Sequence, residues 1–436
     1  MNTRRKRRSS PWRIFLLLGL IGVFLYLNQV VVPATPPFFI PTPTPTTSPE
    51  AFVNEAEQFY KDGKLTQAIQ AYQQGILADP NNPAIYVALA RLQVFAGDYD
   101  AAITNAQNAL LKNPNNPTAH AVQAWALSFK QEHLQAEAAI KKALELDPNS
   151  ALAHAYYAEI LLNKGDAGEV DKAIEESKTA RNLDPNLLET HRARGLVLLS
   201  TQNIDEAIDE LKAAVALNDK IADLHMNLGY AYRVRGDNDL AVEELLSAFA
   251  LNPSSPIAPT EISLAYANEG QFGKAVQYAE QAVKVDPTNA RLHGNLGVMY
   301  YRNQELDKAI PALAMVVHGG TTQDGKVVEG LPLDYSTVAQ YYWFYGFALA
   351  KSNRCTEAVP VFQALILGVP DYELAVENAQ AGIALCQEAL GTPAPTPEAE
   401  APPTPRSHPW TAKSPANALT SARQKTRSTP TASCCG

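Results

Sequence analysis

Cysteine is scarce in this sequence, with four among 436 residues and none in a CxxC pair. Small disulfide-stabilised scaffolds need a higher density of cysteine, and structural zinc sites usually draw on such pairs. The composition therefore speaks against both classes.

The sequence also lacks an excess of positive charge, since its formal net charge is -9. Six basic side chains fall within residues 1–13 and five within residues 401–436, so the central part is more acidic than the total suggests. An acidic body repels phosphate backbones. We therefore expect no nucleic-acid partner.

Long apolar runs are absent except for "IFLLLGLIGVFLYLNQVVV", residues 14–32. Nineteen helical residues span roughly 28 Å, which is enough for the hydrocarbon core of a bilayer. The basic segment 1–13 before the run predicts a cytoplasmic amino terminus and extracytoplasmic residues after it. We expect an uncleaved, single-pass anchor in the cytoplasmic membrane. A secretory signal cleaved near Ala34 is the alternative.

A proline recurs at a nearly fixed interval through the central region. It stands at Pro80, Pro114, Pro148, Pro185, Pro253 and Pro287, with intervals of 34 residues apart from one of 37 and one double interval in which Asp219 takes its place. An alanine recurs in step, at Ala68, Ala102, Ala136, Ala173, Ala207, Ala241, Ala275, Ala309 and Ala358. A period of this length is typical of a solenoid built from helix pairs.

These residues resemble the tetratricopeptide repeat family, in particular its membrane-anchored bacterial members. The clearest copy is "LHMNLGYAYRVRGDNDLAVEELLSAFALNP", residues 224–253, and the resemblance covers about residues 49–389. It implies an all-α, right-handed solenoid that binds proteins and does no catalysis. We expect these segments: basic 1–13, anchor 14–32, Pro/Thr-rich linker 33–49, about nine repeats over 50–390 with an insertion at 318–338 and a capping helix at 373–390, and a disordered tail at 391–436.

Two departures from the repeat pattern affect local structure. Pro259 falls inside the first helix of the seventh unit, where it is expected to weaken packing. The insertion contains "GTTQDGKV", which has the spacing of a phosphate-binding loop but ends in Val327 instead of serine or threonine. It also follows a helix and not a strand, so we expect a loop or a small hairpin that turns at Asp324 and Gly325 in place of a nucleotide site.

The recurrent histidines stand at one repeat position, at His120, His154, His191, His225 and His293. Equivalent positions in neighbouring units are roughly 10 Å apart, whereas zinc needs its nitrogen ligands near 2 Å. We therefore expect these histidines to pack at the joints between units. No cofactor or metal is predicted.

The first helix of each unit should face a concave groove. Aromatic residues and arginine are enriched where proteins bind each other. The candidate partner contacts are Phe95, Trp125, Phe129, Tyr156, Arg192, Tyr230, Arg233, Tyr301, Arg302, Trp343 and Phe347. Packing between helices is the alternative role for each. Cys355 and Cys386 are candidates for a disulfide that fixes the cap, with two buried thiols as the alternative.

These features predict a non-enzymatic, membrane-anchored scaffold that holds protein partners during envelope, pilus or secretion assembly. The alternative is a secreted or structural repeat protein without a specific ligand. An enzyme or a nucleotide-binding protein is the weaker hypothesis, because no catalytic pattern stands outside the repeats. Neither the partner nor the oligomeric state follows from the sequence.

Overall fold

The structure, a computed structural model, describes residues 11–27, 29 and 48–390. The chain divides into two compact parts, one before and one after the boundary between Ser48 and Pro49. Most of the predicted linker at 33–49 and all of the predicted tail at 391–436 lie outside the described residues.

The part before Pro49 contains helix α1, Pro11–Tyr26. The apolar side chains of this helix are largely exposed, for example Trp12 at 74% and Phe15 at 73%. No helix in the described residues has both the length and the apolar character needed to cross a bilayer. The prediction of a membrane-spanning helix over 14–32 is therefore not confirmed. Residues 28 and 30–32 of that stretch lie outside the described part of the chain.

The part from Pro49 onward contains a solenoid in which consecutive helices pack in pairs. The nine pairs are α2 Pro49–Lys61 and α3 Leu65–Ala78; α4 Pro83–Ala96 and α5 Tyr99–Lys112; α6 Pro117–Phe129 and α7 His133–Leu146; α8 Ala151–Lys164 and α9 Val170–Leu183; α10 Leu188–Ser200 and α11 Ile204–Leu217; α12 Ala222–Arg235 and α13 Asn238–Leu251; α14 Ile257–Asn268 and α15 Phe272–Val285; α16 Ala290–Arg302 and α17 Leu306–Val317; α18 Thr337–Lys351 and α19 Cys355–Gly368. Helix α20, Glu373–Leu390, follows the ninth pair. We call the pairs units one to nine, and the helices of each pair its first and second helix.

The recurrent alanine explains how closely the two helices of a unit approach. Every alanine of that series, from Ala68 to Ala358, has 0% exposed surface. In units five, six and eight a glycine of the first helix faces a leucine of the second. A Cβ atom built on Gly229 would lie 2.7 Å from Cγ of Leu245. Small residues at these positions therefore permit the contact between helices.

The turn between the two helices always contains one residue in the left-handed region. In five units this residue is a glycine, as the sequence pattern indicates, whereas in the other four it is glutamine or asparagine. The nine positions are Gly63, Gly97, Gln131, Gly165, Gln202, Gly236, Gly270, Gln304 and Asn353. The packing of the helix pair imposes a positive φ even where the side chain disfavours it.

The joints between units are capped by their own polar residues. In "NPNNPTAHA", the Asn113 side chain accepts a hydrogen bond from the Asn115 amide at 3.2 Å, and the Asn116 side chain accepts one from the Ala119 amide at 3.1 Å. Pro117 is the first residue of α6, where a missing N–H costs nothing. The asparagines and prolines of this string are therefore structural.

Proline disturbs the helices less than expected in one unit and appears unexpectedly in two others. Pro259 is the third residue of α14, within the first turn, where amides have no intrahelical acceptor. The expected weakening at Pro259 therefore has no basis in the backbone hydrogen bonding. Pro311 and Pro360 lie inside α17 and α19 at equivalent repeat positions, and the sequence pattern did not single them out.

The insertion forms a short hairpin, one of the two structures expected for it. Strands β1 Gly320–Thr321 and β2 Val327–Val328 pair antiparallel, with Gly320 opposite Val328. Gly325 has a φ of 81° at the turn. The hairpin hypothesis is confirmed.

Helix α20 covers the end of the solenoid by packing on α18 and α19. The contact is tight, because a Cβ atom on Gly382 would lie 2.1 Å from Cζ of Phe362. Cys355, at the start of α19, is joined to Cys386 of α20 by a disulfide with a Cα–Cα distance of 5.3 Å. The cap is thus held by packing and by a covalent bond.

Candidate functional site

The inner face of the solenoid in units two to four is lined by stacked aromatic rings. Trp125 stacks on Tyr156 with their centroids 4.3 Å apart, and Phe95 meets Trp125 edge-on at 5.1 Å. Phe95 and Trp125 border a cavity of about 260 Å³ whose opposite wall includes Met226 and Ile257. Units two and three therefore face units six and seven across a narrow space.

Buried charges cross this inner face. The Trp125 indole donates to Glu159 Oε2 at 2.7 Å, Arg192 pairs with Glu159, and Arg192 Nε donates to Asp223 Oδ2 at 2.6 Å. Burial raises the pKa of Glu159 against the opposing effect of Arg192. Arg192 is 3% exposed, so its charge is compensated within the protein and is not offered to a partner.

A second ion pair joins units that are not neighbours in the chain. Arg91 of α4 donates from Nε to Oε1 of Glu189 in α10 at 2.6 Å, across 98 residues. A similar approach occurs at the turn of unit one, where a Cβ atom on Gly63 would lie 2.4 Å from Cβ of Lys220. Unit two thus contacts unit five, and unit one contacts the joint between units five and six, so that the chain itself fills the inner face of units one, two and five.

Units six and seven repeat this arrangement on a smaller scale. Arg233 is 3% exposed and donates from Nε to Glu261 Oε2 at 2.7 Å. Its guanidinium also lies 5.1 Å from the ring centroid of Tyr230, which is half-buried. Tyr230 is therefore the more accessible of the two predicted contacts in this unit.

The inner face of units eight and nine differs because its cations lack carboxylate partners. Arg302, at the end of α16, lies over the ring of Phe344 at 6.0 Å, and Lys351, at the end of α18, lies over Tyr301 at 4.6 Å. Tyr301 and Phe344 meet edge-on at 5.1 Å. We call Tyr301, Arg302, Phe344 and Lys351 the cation–aromatic patch. Within residues 48–390, no ion pair involves either cation of this patch.

The eleven predicted groove residues fall into two groups. Those that are buried, and hence part of the packing, are Phe95, Trp125, Tyr156, Arg192, Arg233 and Trp343. Those that keep accessible surface are Phe129, Tyr230, Tyr301, Arg302 and Phe347. The six buried residues fit the alternative of packing between helices, whereas partner contact at the five accessible residues stays a prediction.

Sequence reasoning missed the carboxylates and one of the cations on the inner face. Glu159 and Glu189 were not singled out, although each completes a buried ion pair. Lys351 occupies the repeat position of Arg302 in the next unit, once the insertion is allowed for. Alignment of the units by their alanines would have found Lys351, whereas the pairing of Arg91 with Glu189 requires the curvature of the whole solenoid.

The side chains of the recurrent histidines link the first helix of a unit to the joint that precedes it, as expected from their spacing. Nε2 of His154 lies 3.0 Å from the carbonyl oxygen of Pro148, and its Nδ1 lies 2.5 Å from Glu176. The same contact to the residue six positions earlier recurs at His120, His225 and His293. The hydrogen bond with Glu176 raises the pKa of His154, against a smaller effect of burial. In the described part of the chain, no three His, Cys, Asp or Glu side chains are grouped to hold a metal ion.

Comparison with known families identifies the repeat. Four family models, each describing a tetratricopeptide repeat, match residues 59–126, 117–150, 139–175, and both 192–256 and 260–323. The chain is thus a helical repeat protein, and it belongs to the tetratricopeptide repeat family. None of these models describes a catalytic domain. No curated protein sequence matches the chain.

The chain is similar to several solved structures. A match to the APC/C hetero-tetramer Cut9–Hcn1 has 18% identity and a TM-score of 0.46, and it covers 56% of this chain and 48% of that one, about half its length. Pseudomonas aeruginosa PilF has 23% identity and a TM-score of 0.39, with 46% and 90% covered. The human IFIT1 dimer with PPP-AAAA has 18% identity and a TM-score of 0.50, with 78% and 81% covered. At these identities the likeness concerns the fold alone.

Proposed function

We propose that the protein is a non-enzymatic scaffold that binds protein partners on the inner face of units six to nine. The observation that carries this proposal is the set of half-buried aromatic side chains there: Tyr230, Tyr301, Phe344 and Phe347. Aromatic residues that keep accessible surface beside packed neighbours are typical anchors of protein interfaces. Units one to five are a poorer site because their inner side chains already contact one another.

We further propose that α1 and the apolar residues after it anchor the chain in the cytoplasmic membrane, with the repeats on the extracytoplasmic face. The exposed apolar side chains of α1 and the basic segment before it support this proposal. An envelope, pilus or secretion assembly would then be the setting. Carbonate extraction of membranes, followed by protease digestion of intact spheroplasts, tests both parts. Release by carbonate, or full protection of the repeats, would reject them.

Crosslinking followed by capture from membranes tests partner binding. The variant Tyr230→Ala/Phe347→Ala removes two accessible rings from the inner face, and Leu240→Ala/Leu246→Ala removes two exposed side chains from the second helix of unit six as a matched control. We expect specific partners with the parent and the control but not with the first variant, while circular dichroism shows unchanged helicity. Equal capture by both variants would reject the inner face as the site. Absence of any partner would favour a structural repeat protein without a ligand.

A further inference from the structure

The inner face carries arginines in two different states. Arg91, Arg192 and Arg233 each pair with a carboxylate of the same chain. Arg302 is exposed and lies over the ring of Phe344. The inner arginines of units two to six therefore have their counter-charges built in, whereas that of unit eight does not.

The position of Arg302 and Lys351 in the repeat places both on the inner face. They occupy the position of Phe95 and Phe129, the residues that line the inner cavity of units two and three. Two adjacent units thus present a cation where earlier units present a ring. Their side chains point to the space in which a partner would lie under the function proposed above.

The surroundings of Arg302 contain no compensating charge. Desolvation by the neighbouring protein lowers the pKa of Arg302, although the residue keeps exposed surface, and no carboxylate within residues 48–390 opposes this effect. Other exposed lysines in the same units differ, since Lys308 lies 2.7 Å from Glu305. A guanidinium that is partly desolvated and unpaired gains most from an incoming carboxylate, which it can bind through two parallel hydrogen bonds.

We propose that the cation–aromatic patch binds an acidic peptide segment of the protein partner. Arg302 and Lys351 each receive a carboxylate, while Tyr301 and Phe344 contact the apolar side chains between the acidic residues. The two rings meet at 5.1 Å, and each cation lies over one of them, so one short extended segment reaches both. The inference rests on the proposed scaffold function and adds the chemistry of the partner.

A peptide fits the patch better than a polyanion does. The patch has only two cations, and the formal charge of the whole chain is -9, so a long run of phosphates would be repelled beyond the patch. The adjacent rings, in contrast, add apolar contact area that a phosphate chain cannot use. The aromatic residues thus favour a ligand with both carboxylate and apolar side chains.

Fluorescence anisotropy with the full-length protein tests this proposal. The probe is a labelled peptide of about a dozen residues in which glutamates alternate with leucine and tyrosine, and the control peptide has glutamine for every glutamate. Arg302→Gln/Lys351→Gln removes the two unpaired charges. Lys141→Gln/Lys308→Gln removes two exposed charges that are paired with glutamates on second helices.

We expect the parent and the control variant to bind the acidic peptide with similar affinity, and Arg302→Gln/Lys351→Gln to bind it about tenfold or more weakly. The glutamine peptide should bind all three proteins weakly, and added salt should weaken only the charge-dependent binding. Equal affinity of parent and Arg302→Gln/Lys351→Gln would overturn the proposal. Displacement of the peptide by a lower concentration of inorganic polyphosphate would also overturn it.

The chain's own acidic residues after the cap provide a further test. Glu398 and Glu400 lie outside the described residues, eight and ten positions after Leu390. If the peptide binds only to Glu398→Gln/Glu400→Gln, the tail occupies the patch and binding of a partner segment is refuted. If Arg302→Gln/Lys351→Gln captures the same membrane partners as the parent, the scaffold function holds and the acidic segment is refuted. In that case, loss of partner capture by Tyr230→Ala/Phe347→Ala would still support the scaffold function.

Discussion

The ion pair between Arg91 and Glu189 predicts a long-range effect that an ordinary repeat array would not show. In a solenoid whose units contact only their neighbours, a substitution in unit two should not reach unit five. Here Arg91 of α4 contacts Glu189 of α10, so Arg91→Met should destabilise both helices. Glu189 is 0% exposed, and its carboxylate would be left without its charged partner.

The size of the effect follows from burial. Removal of one member of a fully buried pair costs about 3–5 kcal/mol. Because the Arg91 side chain is 32% exposed, solvent already screens part of the interaction, and we expect about 2–3 kcal/mol. A free-energy change of that size corresponds to a roughly 30- to 150-fold rise in the rate of amide exchange under conditions where opening is at equilibrium.

Hydrogen–deuterium exchange resolved by peptide measures this directly. We expect faster exchange in α4, Pro83–Ala96, and in α10, Leu188–Ser200, with a smaller change in the intervening α6. Arg91→Met/Glu189→Met should restore much of the protection, since it removes the uncompensated charge as well as the pair. Faster exchange confined to α4 and its neighbours would refute the contact between units two and five.

Three further predictions concern single positions in the repeats. Because the pKa of His154 is raised, its ion pair with Glu176 stabilises the fold below pH 6.5 and loses that contribution as the pH rises through the folded pKa. The difference in unfolding free energy between the parent and His154→Gln should therefore shrink from pH 6 to pH 9. A constant difference would contradict this prediction. Gly297→Ala should destabilise the fold by about 1–2 kcal/mol, because the new Cβ would lie 2.5 Å from a side chain of α17. Gly273→Ala has open space around its Cβ and should stabilise the fold by about 0.5–1 kcal/mol. If denaturant melts gave stability changes of the same sign for both variants, the close packing at Gly297 would be contradicted. Cys386→Ser should lower the local stability of α20 by about 3–4 kcal/mol and make the amide hydrogen exchange of α20 insensitive to reductant. If reductant changed the exchange of α20 equally in the parent and the variant, the disulfide would be excluded.

The repeat architecture could be predicted from the sequence because it depends on local, periodic signals. The alanine recurs in every unit and the asparagine and proline joint in most of them, and each acts within one helix pair or at its end. The glutamines with positive φ, such as Gln131, show the limit of this reasoning, because their backbone conformation comes from the register of the whole unit. A residue-by-residue propensity gives no sign of it.

The inner face could be predicted only in part. The sequence indicates which side of the first helix turns inward, and it therefore selected Trp125, Arg192 and Tyr301. How tightly the solenoid curves is not encoded in any one unit, and that curvature decides whether an inward residue is buried or accessible. For the same reason, the sequence pattern could not match Arg91 with Glu189 or leave Arg302 without a partner.

Site-specific photocrosslinking tests the central claim, that units six to nine bind a protein partner on their inner face. A photoreactive phenylalanine analogue replaces Phe347 on the inner face in one protein and the exposed Leu246 of a second helix in another. Illumination of intact cells should give a discrete adduct with a second protein from position 347 and none from position 246. Equal adducts from both positions, or an adduct only from position 246, would contradict the account.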